Sequence, residues 1–225
     1  MKYLGNFFLL CLILVGAAWP AQALQDSSAR WREWEPEIQA FEDADKSNPP
    51  AEGAVLFIGS SSIRLWQSLA QDFPLSNVLN RGFGGAHIED STHFADRIII
   101  PYHPRLIVLY AGDNDIESGK TPLRVLEDFK QFVGTVFRLL SRTRVAFISI
   151  KPSPARWRLV DRVRKANKLI EKFIRTDRRL DYIDVFSPML GKDGKPRSEL
   201  YVEDNLHMSK EGYELWRSLV APHIR

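Results

Sequence analysis

The sequence predicts an α/β fold in which a parallel five-stranded sheet is covered by helices on both faces. Three observations predict it. Short, largely apolar runs recur along the chain, the gaps between them are long enough for helices, and each run is followed within two residues by glycine or a polar residue. The runs occupy residues 54–58, 77–80, 106–110, 145–150 and 182–186. Strand and helix in alternation require crossover connections, which join parallel strands.

Taken in order, residues 29–44 place Trp31, Trp34, Ile38 and Phe41 at three- and four-residue steps, the period of a helix with one buried stripe. Lys46-Ser47-Asn48-Pro49-Pro50 stops it. The first strand, Ala54-Val55-Leu56-Phe57-Ile58, is apolar throughout, as in a strand buried on both faces. Between the third and fourth runs, Thr121-Pro122 is a helix cap with proline at the first helical position, and Leu126, Phe129, Val133, Val136, Phe137 and Leu140 hold one face. A last helix carries Tyr213, Leu215, Trp216, Leu219 and Val220.

The amino terminus differs from the rest. Lys2 gives a basic start, residues 7–15 are almost wholly apolar, and Ala21-Gln22-Ala23 ends the segment in the small-x-small pattern of a signal-peptidase site. We expect residues 1–23 to be a removed signal peptide, residues 24–52 a helix and linker packed on the core, and residues 53–225 the functional domain of an exported, periplasmic or secreted protein. A membrane anchor would need about 20 consecutive apolar residues, and Asn6, Pro20 and Gln22 interrupt this stretch. The single cysteine, Cys11, lies inside it, so the expected mature chain has no disulfide, no thiol chemistry and no cysteine-bound zinc. The formal charge of +3 comes from dispersed residues. The densest basic stretch, from Arg156 through Lys168, reads as a solvated helix face, and no nucleic-acid partner is expected.

Ligands of open α/β sheets bind outside the carboxyl ends of the strands. The first strand leads into Gly59-Ser60-Ser61-Ser62, a turn that exposes a serine beside the open N–H groups of a helix start. The motif is not the lipase elbow G-x-S-x-G. After the second strand, Gly82-Phe83-Gly84-Gly85 lets backbone approach a substrate closely. After the third stands Gly112-Asp113-Asn114-Asp115, where an asparagine amide is placed to donate to an oxyanion. Two acids there raise the question of a divalent metal, but oxygen-rich sites usually draw on more scattered carboxylates, and His-x-His and His-Glu-x-x-His are absent. No metal or other cofactor is expected. Near the end, Asp204-Asn205-Leu206-His207 offers a carboxylate to orient an imidazole whose other nitrogen takes a serine proton.

A serine after strand one, a glycine after strand two, an asparagine after strand three and Asp-x-x-His before the last helix resemble, in that order, the SGNH or GDSL-like hydrolases. The resemblance covers residues 54–220. It implies a three-layer α/β/α fold with strand order 2-1-3-4-5, Ser61 as nucleophile, Asp204 and His207 as acid and base, and Gly85 and Asn114 completing an oxyanion hole. Ser60 stands where the family usually has aspartate, which leaves a register question among Ser60, Ser61 and Ser62. Within the family, Gly-Ser-Ser-Ser and Ile-Ser-Ile-Lys-Pro-Ser-Pro are most similar to an exported bacterial group.

The resemblance implies hydrolysis of a carboxylic ester through an acyl-enzyme, on a small-molecule or glycan-linked substrate. Short turns after the strands leave little room for a lid, which favours acetyl or another short acyl group. Lys151, Arg156 and Trp157 follow the fourth strand and are candidates to line the mouth of the site. Two other readings use the same residues: an acyltransferase with the same triad, and a flavodoxin-like binder in which Gly59 to Ser62 cradles a phosphate.

Overall fold

A computed structural model describes residues 19–224, with side chains from residue 30. The apolar run expected to be the core of a signal peptide lies outside the described residues. The chain divides into two compact units, Met1–Glu35 and Pro36–Arg225. The described residues of the first belong to the start of α1 (Trp19–Ser47), which is longer at both ends than the helix predicted over 29–44. The unit boundary falls at Pro36, which has no N–H for the helical ladder.

The second unit contains the sheet. Strands β1 (Val55–Gly59), β2 (Val78–Gly82), β3 (Leu106–Tyr110), β4 (Arg144–Ile148) and β5 (Leu180–Ile183) are all parallel, in the order β2-β1-β3-β4-β5. The order and the α/β/α layering are as expected from the sequence. Every residue of β1 and β3 is buried, which accounts for their unbroken apolar runs. The edge strand β2 keeps Val78, Leu79 and Asn80 partly exposed.

Between and after the strands lie α2 (Ser61–Arg64), α3 (Leu69–Asp72), α4 (Ile88–His93), α5 (Ala95–Ile98), α6 (Asp113–Glu117), α7 (Pro122–Leu139), α8 (Val160–Ile174) and α9 (Lys210–Val220). On one face of the sheet, Val55, Phe57, Val108, Tyr110 and Ile148 pack with Ile63, Trp66 and Phe73 and with Trp216 and Val220 of α9. On the other, Phe129 of α7 sits 5.0 Å from Phe147 of β4 and 6.0 Å from Phe173 of α8. Thr121 caps α7 through Arg124 N–H at 3.2 Å.

Several strand ends differ from the sequence expectation: β2 continues to Gly82, β5 begins at Leu180, and two runs outlast their strands. The runs at 145–150 and 182–186 stop being strand at Ile148 and Ile183. The cause is Ser149, whose buried hydroxyl accepts the N–H groups of Val185 and Phe186 at 3.0 Å each. A side chain replaces the ladder there, so apolar residues continue past the hydrogen-bonded strands.

The second half of α1 is held to the sheet by charge. Glu42 pairs with Arg97 through two contacts of 2.7 Å, Asp45 accepts from Arg81 and, at 2.6 Å, from the Tyr102 hydroxyl, and Glu37 accepts Gly84 N–H at 3.3 Å. Ile38 beside them is fully buried.

Trp216 is the pivot of the α9 side, fully buried with its ring 4.9 Å from Tyr110 and 6.1 Å from Trp66. Trp216→Ala should cost about 3–5 kcal/mol of stability. Urea unfolding followed by circular dichroism checks this, and a midpoint equal to wild type would contradict it.

Candidate functional site

Strand order places the site. Because β1 lies between β2 and β3, the residues that follow it are flanked by those that follow its two neighbours. Gly59 ends β1 at φ +127°, and a Cβ there would lie 1.9 Å from the Tyr110 carbonyl oxygen. Only glycine permits that approach, which lets Ser60 N–H donate to the same carbonyl at 2.9 Å and turns the chain into α2. Ser60 and Ser62 are then buried, and Ser61 alone of the three is partly exposed.

Ser61 Oγ lies 3.0 Å from His207 Nε2, and His207 Nδ1 lies 2.6 Å from Asp204 Oδ2. The other Asp204 oxygen accepts the N–H groups of Leu206 and His207 at 2.8 Å each. Partial burial pushes the Asp204 carboxyl upward, but the His207 ring and these two N–H donors outweigh it and hold the pKa at about 2. An ionised Asp204 requires the hydrogen on Nδ1, so Nε2 presents its lone pair to the Ser61 hydroxyl.

The segment carrying Asp204 and His207 follows β5, at the far edge of the sheet, and crosses back over it. Tyr201 donates to the Pro152 carbonyl, Ala155 N–H donates to the Asn205 carbonyl at 3.1 Å, and Ser209 caps α9 through Gly212 N–H at 3.2 Å. On α9, the Tyr213 hydroxyl donates to the Ser62 carbonyl at 3.1 Å, tying this helix to α2. Asn205 holds φ +57°, a left-handed conformation that asparagine and glycine tolerate and β-branched residues do not.

Gly85, at φ +75°, is exposed in the loop before α4. Neither Ser61 N–H nor Gly85 N–H has an acceptor among the described residues. Asn114, near the start of α6, donates one amide hydrogen to the Ala86 carbonyl at 3.2 Å and retains a second. Its neighbour Asp115, fully buried, accepts Ile88 N–H at 3.3 Å and Lys120 at 2.9 Å, which ties the Gly85 loop to the Asn114 helix. Asp113 turns the other way, toward Lys151 at 3.3 Å and Arg156 at 3.0 Å. Among the described residues no three His, Cys, Asp or Glu side chains come together as metal ligands.

Lys151 and Arg156, the two candidate cations after β4, are both drawn into an ion-pair group around Asp113. Lys151 is 2% exposed, within 3.1 Å of the Tyr110 hydroxyl. Burial disfavours its charge, but the Tyr110 oxygen and the Asp113 carboxylate outweigh that and raise its pKa above the ordinary lysine value. Arg156 is occupied by Asp113 and by Asn114 Oδ1, at 3.1 and 3.2 Å. The reason for both is Asp113, an otherwise uncompensated buried carboxylate at the end of β3 that draws in the cations following β4. Trp157 is partly buried, with Lys195 4.9 Å from its ring centre and the Arg164 guanidinium at 5.8 Å. The grip on Asn114 is what sequence reading missed; the signal was a lysine and an arginine five residues apart, facing an acid next to the key asparagine.

The fold defines the structural class, a doubly wound parallel sheet with helices on both faces. Residues 58–215 match the model of the GDSL-like lipase/acylhydrolase family. The chain belongs to that family of ester hydrolases. Solved structures with the same fold include a candidate platelet activating factor from Streptococcus pneumoniae, at TM-score 0.76 and 21% identity over 91% of this chain and 99% of that one. A GDSL-like lipase from Bacteroides thetaiotaomicron aligns at TM-score 0.70 and 19% identity over 87% and 97% of the two chains. A carbohydrate esterase of family 3 from Talaromyces cellulolyticus aligns at 0.60 and 13% over 76% and 95%. No curated protein matches the sequence.

The left-handed Asn205 generates a test. Asn205→Gly should keep kcat within about twofold, whereas Asn205→Val, strained by about 1–2 kcal/mol at this φ, should lower kcat by moving His207 away from Ser61. Equal rates for the two variants would contradict this account of the turn.

Proposed function

We propose that the protein hydrolyses small carboxylic esters through an acyl-enzyme on Ser61. The observation that carries this reading is the line from Ser61 Oγ to His207 Nε2 to Asp204, at 3.0 and 2.6 Å. In the first step His207 Nε2 takes the Ser61 proton as Oγ bonds to the ester carbonyl carbon. The negative charge that develops on the carbonyl oxygen is met by Ser61 N–H, Gly85 N–H and the free hydrogen of Asn114. Collapse breaks the carbon–oxygen bond to the alcohol, which leaves with the proton from His207. Water then repeats the sequence on the acyl-enzyme, gives its proton to His207, and releases the acid and Ser61.

The shallow setting favours a small acyl group. The His207 side chain is 29% exposed and that of Asp204 47%, so the bond to be cleaved meets the protein near its surface. A lipid-length acyl chain calls for a long apolar channel, whereas a short acyl group needs only a small recess beside Ser61. An acetyl esterase and a carbohydrate esterase among the fold neighbours accord with this choice. We propose acetyl or another short acyl group on a small alcohol or a sugar as the substrate class.

With p-nitrophenyl esters, acetate should be cleaved faster than laurate, and Ser61→Ala should lose about a thousandfold or more in kcat. The rate should rise with pH across the near-neutral range in which an imidazole gives up its proton. Asp204 adds no limb of its own in that range, because its carboxyl is already ionised above about 2. A profile flat from pH 8 down to about pH 4 would remove His207 as the base.

A further inference from the structure

We infer that Arg156 is a positioning residue for Asn114, fixing the orientation of the oxyanion-binding amide and strengthening it as a donor. The inference rests on the ester-hydrolase reading and extends it to a residue that does not touch substrate.

An asparagine amide fits its site in two orientations related by exchange of oxygen and nitrogen, and only one presents N–H to a substrate. Here both partners discriminate. Arg156 reaches Asn114 Oδ1 with two guanidinium nitrogens, at 3.1 and 3.2 Å, and a guanidinium has donors only. Ala86 offers a carbonyl, which only accepts, to Asn114 Nδ2 at 3.2 Å. The exchanged orientation would set NH2 against guanidinium and oxygen against oxygen. The observed one keeps a second amide hydrogen for the substrate. A cation on the amide oxygen also polarises the group, which makes that remaining N–H a better donor.

Arg156 is itself held rigidly. It lies after β4, the neighbour of β3, so the sheet brings it beside Asn114. Its guanidinium contacts Asp113 Oδ2 at 3.0 Å and Glu117 at 3.7 Å, and its side chain is 17% exposed. Asp113 Oδ2 is shared with buried Lys151 at 3.3 Å, which in turn meets the Tyr110 hydroxyl at 3.1 Å. With Arg158, which donates to Glu117 at 3.1 Å, Lys151 and Arg156 face Asp113 and Glu117 as three cations against two anions. Pro152 and Pro154 restrict the segment leading to Arg156, and Ala155 N–H anchors it to the Asn205 carbonyl in the turn between Asp204 and His207. One short segment therefore braces both the amide and the imidazole.

The test is a double-mutant cycle with p-nitrophenyl acetate on the intact protein, comparing Asn114→Ala, Arg156→Gln and the double variant. Arg156→Gln should lower kcat by about 10- to 100-fold, less than complete loss of an oxyanion donor, with KM changed less than about twofold. In the Asn114→Ala background the same substitution should have almost no further effect, since its target is gone. Arg156→Lys, which keeps the charge but not the two-point grip, should recover part of kcat, and it serves as the test if thermal unfolding shows that Arg156→Gln is not folded. The inference is overturned if Arg156→Gln turns over like wild type, if its effect falls on KM, or if the two effects multiply in the double variant. Those results leave the hydrolase reading standing when Asn114→Ala is slow by itself. A wild-type kcat in Asn114→Ala would remove the oxyanion role and, with it, this inference.

Discussion

The geometry of the site depends on a contact between two backbones. At the last residue of β1, the Gly59 Cα faces the Tyr110 carbonyl so closely that a methyl group would overlap it, at 1.9 Å. Because the approach is allowed, β1 and β3 remain paired through Gly59 and Tyr110, and Ser60 N–H closes on the same carbonyl. The next residue, Ser61, must then start a helix with its hydroxyl outward and its N–H unbonded. Any side chain at position 59 would push the strands apart and move Ser61 relative to everything that follows β2, β3 and β5.

Around that fixed point, the protein uses charge in layers. The outermost is the Asp204–His207 pair, half open to solvent and oriented by two backbone donors. Beneath lie two buried groups centred on the acids flanking Asn114. Asp115 joins with Lys120 and Asp128, and Asp113 with Lys151 and Arg156. Breaking a buried pair by removing one partner leaves an uncompensated charge and typically costs about 3–5 kcal/mol. Such groups resist small displacements, and Asn114 stands between them.

Much of this was legible in the sequence for physical reasons that can be named. Central strands read clearly because burial on both faces forces an apolar run, as in β1 and β3. Strand ends read less clearly at Ile148 and Ile183, where Ser149 takes over the hydrogen bonds while the apolar pattern continues. The serine, glycine and asparagine could be found because each follows a strand, and Asp-x-x-His because it stands just before the last helix; the fold then brings Ser61 to within 3.0 Å of His207. Lys151 and Arg156 could not be placed the same way. A cation in a loop reads as solvent-exposed until its counter-charge is known, and Asp113 was itself ambiguous beside Asp115. Among Ser60, Ser61 and Ser62 the chemistry is identical, and burial alone distinguishes them.

The central claim is that Ser61 is the activated nucleophile. The most direct measurement treats the folded protein with a fluorophosphonate and locates the adduct by mass spectrometry of its peptides. Phosphorus–oxygen bond formation at Ser61, with Ser60 and Ser62 unmodified and labelling slowed in His207→Ala, is the result this account predicts. An adduct on Ser60 or Ser62, or no adduct on folded protein, would contradict it.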